Sequence, residues 1–172
     1  MRILIVLTGS SHSGKSTLAT SLRVQYPTLE IHELDDYLPF GNETLRPDLV
    51  ICDSYSVLRK NVTDSLERSQ PCVAISTFTF VPRTGHATYY HDEHERLANI
   101  AESYGALFET VRLRVTLFEA LRRRARSRRL TPWLLTRIWW VERSGAESRQ
   151  LASTSPDDAY DKLHAMLEAN AK

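Results

Sequence analysis

Eight residues near the start of the chain have the types and spacing that bind phosphate. Two glycines, a lysine and a serine allow backbone N–H groups to curl around phosphate oxygens, bring an ammonium to the β- and γ-phosphates, and offer a hydroxyl to Mg²⁺. The apolar run Ile3 to Leu7 precedes them, as in a strand that leads into a helix. The pattern predicts a phosphate-binding loop (P-loop) for a nucleoside triphosphate and Mg²⁺. Its residues are Gly9, Ser10, Ser11, His12, Ser13, Gly14, Lys15 and Ser16.

Within this loop we expect Lys15 to be exposed to the phosphates and to act in catalysis, and Ser16 to bind Mg²⁺. Two aspartates supply the next candidates. Asp35 and Asp36 directly follow the strand-like run 31–34, and in α/β sheets ligands lie beyond the carboxyl ends of the strands. One aspartate could accept a proton from an attacking hydroxyl, or hold Mg²⁺ through water, with Asp36 as the further metal contact. The alternative is a turn pair or helix cap.

Six arginines lie within the eight positions 122–129, at the end of one predicted helix. Charges of one sign at this density repel each other, so they indicate a nearby anion rather than a structural role. Arg124 and Arg128 are four residues apart and share a helical face, where two guanidinium groups can close over a triphosphate. We therefore expect a mobile lid at residues 122–135, with some of the arginines outside the pair Arg124 and Arg128 solvated. The six are Arg122, Arg123, Arg124, Arg126, Arg128 and Arg129.

Two other clusters carry less weight. His86, His91 and His94 could bind a metal, but their spacing lacks the companions of a closed site, and a polar loop entering a helix is favoured. The tryptophans at positions 133, 139 and 140 could stack on bases, although core packing is favoured for at least one of them.

Length and composition fit one domain of ordinary size. The chain has 172 residues, so we expect a single domain over 1–172. Its formal net charge is +1, so the molecule as a whole lacks the charge excess typical of proteins that bind polyanions. The apolar start is too short for a membrane span and lacks a signal-peptide pattern. Cys52 and Cys72 have no ligand spacing and fit a reducing compartment. We expect a soluble cytoplasmic protein with no membrane contact.

The elements that must position these residues alternate along the chain. This order predicts an α/β fold, a three-layer α/β/α sandwich around a parallel sheet of about five strands. The least certain stretch is 46–69, where helical spacing is favoured but 49–54 could form a strand. The predicted strands are 2–7, 29–34, 72–76, 107–115 and 149–153, and the predicted helices are 15–25, 47–69, 91–104, 117–128, 133–144 and 157–170.

Most of the chain resembles the phage-type polynucleotide 5′-hydroxyl kinases and related small P-loop kinases. The resemblance rests on GxxxxGKST at 9–17, Asp-Asp-Tyr at 35–37, the third strand at 73–77 with Pro-Arg at 82–83, and the lid arginines before Thr-Pro-Trp-Leu-Leu at 131–135. It implies that Asp35 is the general base, that Arg124 stacks near the nucleotide base, and that Arg128 stabilises the transition state. The nucleotide contacts expected are Gly9, Ser11, His12, Ser13, Gly14, Lys15, Ser16, Thr17 and Arg124.

Two positions depart from the family pattern and concern the acceptor. Leu38 stands where the family has an arginine that contacts the substrate phosphate, and Thr77 stands where it has an aspartate. These two departures predict that the phosphate acceptor differs from that of the polynucleotide kinases. We expect an ATP-dependent kinase for a hydroxyl of a nucleic acid or nucleotide, internal or base-linked hydroxyls included. The alternatives are a kinase of a nucleoside, sugar or antibiotic, and an ATP-binding switch that transfers no phosphate.

Overall fold

Five parallel strands form one sheet in the computed structural model. The structure describes residues 2–10, 12–37, 47–76, 93–127 and 153–171, together with Pro132, Leu135, Thr136, Trp139, Trp140 and Arg143. The strands are β1 Ile3–Thr8, β2 Glu30–Glu33, β3 Cys72–Ser76, β4 Leu107–Leu113 and β5 Ser153–Thr154, in the spatial order β2-β3-β1-β4-β5.

The central strand β1 pairs with β3 on one side and β4 on the other. Val6 lies opposite Ala74 in β3 and opposite Thr110 in β4. All six residues of β1 are buried, which explains its uninterrupted apolar run, because both faces of a parallel sheet are covered. The predicted parallel sheet of about five strands is confirmed.

In the described ranges, four helices and one 3₁₀ turn connect successive strands, and a fifth helix follows the last strand. The stretch 46–69 is helical from position 47 to 67, so its interpretation as a strand is wrong. The six described positions from Pro132 to Arg143 are also helical, in agreement with the helix expected at 133–144. The helices are α1 Lys15–Gln25, α2 Pro47–Glu67, α3 Glu93–Ser103, α4 Leu117–Ser127 and α5 Pro156–Ala171, and the 3₁₀ turn is Leu34–Tyr37.

Helices cover both faces of the sheet, as the sequence predicts. Leu22 of α1 and Leu163 of α5 pack with Ile5 and its neighbours in one core cluster. On the other face, Leu58 of α2 and Leu97 of α3 pack in a second cluster. Successive residues of a strand point to opposite faces, so odd positions of β1 enter the first cluster and even positions the second.

Several strand ends differ from expectation. Strand β1 covers Ile3–Thr8 rather than 2–7, and β4 ends at Leu113 rather than at 115. The run predicted as strand 29–34 stops at Glu33, because Leu34 starts the 3₁₀ turn that carries both aspartates. The last strand occupies Ser153–Thr154 rather than 149–153, and positions 149–152 lie outside the described residues. It pairs with Arg112 and Leu113 at the carboxyl end of β4.

Candidate active site

The loop between β1 and α1 turns through backbone conformations that favour glycine. Gly9 has φ 146° and Gly14 has φ 101°. A Cβ added at Gly9 would lie 2.9 Å from both the Leu113 carbonyl oxygen and the Ser13 Oγ, so a side chain there would push the loop away from β4. His12 adopts φ 64° between them. These constraints explain the glycine spacing that the sequence shows.

Lys15 opens α1 and points back into the loop. Its Nζ donates to the carbonyl oxygens of Gly9 at 2.8 Å and Ser10 at 2.9 Å. The residue is only 8% exposed, so the expectation of an exposed lysine is wrong. The loop carbonyls solvate the ammonium, because a buried charge requires polar partners. The lysine is therefore held at the loop that the motif assigns to phosphate.

Ser13 carries a buried hydroxyl inside the same loop. The residue is fully buried, and its Oγ has no hydrogen-bond partner among the described residues. Buried hydroxyls without partners are rare in native proteins. A phosphate oxygen is an acceptor of the right kind for this O–H, which fits the nucleotide contact expected at this position. Ser11, also expected there, lies outside the described residues.

Ser16, the expected Mg²⁺ ligand, is exposed at the start of α1 and contacts an acidic residue of β2. Its Oγ donates to Glu33 Oε2 at 2.8 Å, and Arg23 NH1 donates to the other oxygen, Oε1, at 3.1 Å. The Glu33 side chain is 10% exposed. Sequence reasoning missed Glu33. The alternation along β2 indicates that positions 31 and 33 share a face, but only the fold shows that α1 covers that face.

Asp35 and Asp36 lie in the 3₁₀ turn directly after Glu33, and both are exposed. The hydrogen bond between Ser16 and Glu33 joins the start of this turn to the start of α1. The two carboxylates therefore follow the strand end that borders the phosphate loop. Thr17 is exposed on α1, whereas Leu38 and Thr77 lie outside the described residues.

An arginine of α4 contacts the phosphate loop, and it is not one of the two expected. Arg123 NH1 donates to the His12 carbonyl oxygen at 3.1 Å, and its NH2 donates to Glu119 one turn earlier. The Arg124 side chain and the whole of Arg128 lie outside the described residues. In a run of three arginines the helical phase cannot be assigned from spacing alone. The available signal was Glu119, four residues before Arg123, an ion-pair spacing on a helix.

Two weaker sequence candidates have local partners. Trp139 Nε1 donates to the Val115 carbonyl oxygen at 2.8 Å, and the ring packs against the cluster that contains Leu135. Core packing is thus confirmed for one tryptophan. His94 Nε2 lies 2.9 Å from Thr110 Oγ1. Within the described ranges, no three His, Cys, Asp or Glu side chains converge as metal ligands.

Solved structures of low sequence identity share this fold. A chain of the Pnkp1/Rnl/Hen1 RNA repair complex superposes with a TM-score of 0.67 at 14% identity, over 86% of this chain and 45% of that one. A Chloroflexus aurantiacus protein with an inferred kinase function superposes at 0.67 with 15% identity, over 98% and 97%. Deoxyadenosine kinase of M. mycoides superposes at 0.57 with 9% identity, over 97% and 100%.

These neighbours and the loop define the class: the chain has the fold of P-loop kinases. No family model and no curated protein sequence matches it. The chain spans less than half of the chain that it matches in the RNA repair complex. Among the described helices, none is both long and apolar enough to cross a membrane.

Proposed function

We propose that this protein is an ATP-dependent kinase that transfers the γ-phosphate to a hydroxyl group of a nucleic acid or nucleotide. The observation that carries the proposal is the contact between Ser16 and Glu33. It joins the phosphate loop to the strand end that leads into Asp35 and Asp36. This contact supports a site in which the triphosphate and a proton-accepting carboxylate lie at the carboxyl ends of β1 and β2.

The proposed chemistry divides among named groups. Backbone N–H groups of the loop and the Lys15 ammonium hold the phosphates, and Ser16 holds Mg²⁺, with Asp36 as a contact through water. Hydroxyl and carboxylate oxygens are the hard donors that this ion prefers. When bound, Mg²⁺ would neutralise charge on the β- and γ-phosphates.

Asp35 is the proposed general base. The acceptor oxygen forms a bond to the γ-phosphorus while the bond to the bridging oxygen of ADP breaks, and the hydroxyl proton passes to the Asp35 carboxylate. Arg123, a residue of the proposed lid, contacts the phosphate loop through the His12 carbonyl oxygen. Arg124 and Arg128 keep the nucleotide-contacting and transition-state roles that the resemblance implies.

The acceptor class rests on the resemblance to polynucleotide kinases and on the shared fold with a chain of an RNA repair complex. The competing acceptor is a free nucleoside or another small molecule. Deoxyadenosine kinase shares the fold over its whole length, and Leu38 removes the arginine expected to contact a polynucleotide phosphate. The near-neutral net charge of +1 also fits a small acceptor.

Transfer of labelled γ-phosphate to a panel of acceptors tests the proposal. The panel contains single-stranded DNA and RNA with 5′-hydroxyl ends, mononucleotides and free nucleosides, each at low and high salt. We expect labelling of a nucleic acid, weakened by salt because phosphate contacts release counterions. Salt-insensitive labelling of nucleosides alone would support the small-molecule kinase. Slow hydrolysis without any labelled acceptor would support a nucleotide-dependent switch.

A further inference from the structure

The carboxylate of Glu33 is shared between the two ends of α1. Ser16, in the first turn of the helix, donates to one oxygen, and Arg23, in the last, donates to the other. The side chain of Glu33 is nearly buried at 10% exposure, whereas that of Arg23 is 46% exposed. Both carboxylate oxygens are therefore held in place, and Glu33 has little freedom to turn away from Ser16.

This contact fixes the orientation of the Ser16 hydroxyl. A serine hydroxyl has one hydrogen and two lone pairs, and here the hydrogen points at Glu33 Oε2. The lone pairs of the oxygen therefore lie on its other sides, and the residue is exposed to solvent. A cation needs a lone pair of the hydroxyl and is repelled by its hydrogen. Acceptors behind a metal ligand commonly orient it and raise its basicity.

We propose that Glu33 is a positioning residue for the Mg²⁺ of ATP: it accepts the Ser16 hydroxyl proton in a hydrogen bond, so that the Ser16 oxygen faces the cation as a ligand. This inference rests on the proposed use of ATP and Mg²⁺, and it adds a residue that neither the motif nor the resemblance assigns. Glu33 touches no phosphate in this scheme. It acts through Ser16.

The same strand offers a matched control. Glu30 also accepts from a serine and an arginine, Ser65 and Arg68, but both belong to the α2 side of the sheet. Glu30→Gln thus removes one carboxylate charge from the same strand and breaks the same kind of pairing. It does so away from the phosphate loop.

Binding of a non-hydrolysable ATP analogue, measured calorimetrically with Mg²⁺ and with EDTA, tests the inference. In the wild type we expect Mg²⁺ to increase affinity, and in Glu33→Gln we expect that increase to fall by about tenfold, with EDTA binding retained. Glu30→Gln should keep the full increase. An undiminished or larger Mg²⁺ effect in Glu33→Gln would overturn the inference, since a larger one means that Glu33 competes with the cation for Ser16.

A double-mutant cycle separates positioning from simple charge. If Glu33 acts through Ser16, then Glu33→Gln should have no further effect on Mg²⁺ dependence in a Ser16→Ala background. Additive losses would show that Glu33 acts by its charge alone and would overturn the positioning role. If Glu33→Gln does not fold, Glu33→Asp serves instead, because it keeps the charge but shortens the reach to Ser16. Its Mg²⁺-dependent increase in affinity should fall below that of the wild type by less than tenfold. An unchanged Mg²⁺ effect would again overturn the inference. A wild type that fails to bind the analogue in either condition would refute the proposed function itself.

Discussion

Two carboxylates of β2 have the same kinds of partner and opposite surroundings. Glu33 holds Ser16 and Arg23, while Glu30 holds Ser65 and Arg68. They are three positions apart on the strand, so they point to opposite faces of the sheet. Glu33 faces α1 and the phosphate loop, and Glu30 faces α2.

The difference between these two networks lies in their serines. Ser65 is fully buried, and its Oγ also lies 2.8 Å from His32 Nε2, so the Glu30 network is closed at its serine, while the side chains of Glu30 and Arg68 are 30% and 59% exposed. Ser16 is exposed at the start of a helix, where the positive end of the helix dipole favours anions. The Glu30 network connects β2 to α2, whereas the Glu33 network leaves the Ser16 oxygen open to a ligand. Surroundings, rather than residue types, separate a structural network from a candidate binding site.

The largest effect should come from Lys15, beside the open network. Lys15→Ala should lower kcat for phosphate transfer by roughly 10³-fold or more, because transition-state charge loses its cation. Thermal unfolding should show a folded protein, although the loss of two buried contacts to loop carbonyls will lower its stability. Lys162→Ala, an exposed lysine of α5, is the control. Full activity in a folded Lys15→Ala protein would exclude the P-loop mechanism.

Next in size is the effect of Asp35, two residues beyond Glu33. Asp35→Asn keeps the size of the side chain and removes its basic carboxylate, so kcat should fall about 10²-fold with little change in the KM for ATP. Steady-state kinetics of Asp36→Asn provide the comparison, with a smaller loss expected. If only Asp36→Asn were impaired, the base would be the other aspartate.

Stability should depend more on Ser65, in the Glu30 network, than on Ser16 beside the phosphate loop. Ser65→Ala leaves the Glu30 carboxylate and the His32 ring without their shared buried partner, which should cost about 1–3 kcal/mol in the free energy of unfolding. Ser16→Ala, at an exposed position, should cost less than about 0.5 kcal/mol. Urea denaturation measures both. Equal losses of unfolding free energy would mean that the burial of the serine does not distinguish the two networks.

The smallest effect concerns pH and the closed network. Burial lowers the pKa of His32 below its ordinary value of 6.5, partly opposed by the charge of Glu30. The unfolded chain then binds the proton more tightly than the folded one, so this contribution to stability is present above the unfolded pKa and is lost as pH falls below it. Denaturation from pH 7 to 5 should show declining stability, and His32→Gln should flatten that decline. An unchanged slope would assign it to other groups.

A related effect follows at lower pH for Glu30. The hydrogen bond from Ser65 holds the pKa of this carboxyl below its ordinary value of 4.5, and Arg68 adds to the effect. Its contribution is therefore present above that value and is lost in more acidic solution. The histidine and the carboxyl act in separate pH ranges, which allows their contributions to be distinguished.

Local sequence patterns predicted many of the strands, helices and turns of this protein. Such patterns depend on the backbone angles and the burial of the residues that form them. The glycine spacing at Gly9 and Gly14 reflects backbone angles that few other residues adopt, and the uninterrupted apolar run of β1 reflects burial on both faces. The position of Asp35 follows from the strand before it. The spacing of apolar residues in α2 correctly favoured a helix.

The missed residues depend on contacts between distant parts of the chain. Glu33 matters because α1 lies over one face of β2, and alternation alone does not say which helix covers which face. Arg123 reaches the His12 carbonyl because α4 has one rotational phase among several that three consecutive arginines allow. Lys15 is buried because loop carbonyls surround its ammonium, an arrangement that the motif does not describe. The sequence thus indicated the candidate site residues, and only the fold showed which residues lie beside them.

The pairing of β5 with the carboxyl end of β4 has a consequence for protein engineering. Leu113 lies opposite Thr154, and the Arg114 N–H donates to the Thr154 carbonyl oxygen at 2.9 Å. The chain therefore leaves the sheet after β4 and rejoins it at β5, at a neighbouring position. Segments whose ends lie this close tolerate replacement well. Position 114 and Ser153 are thus natural junctions for exchanging the intervening segment, α4 and Arg123 included, with that of a structural neighbour, which would alter the contact to the phosphate loop and leave positions 38 and 77 unchanged.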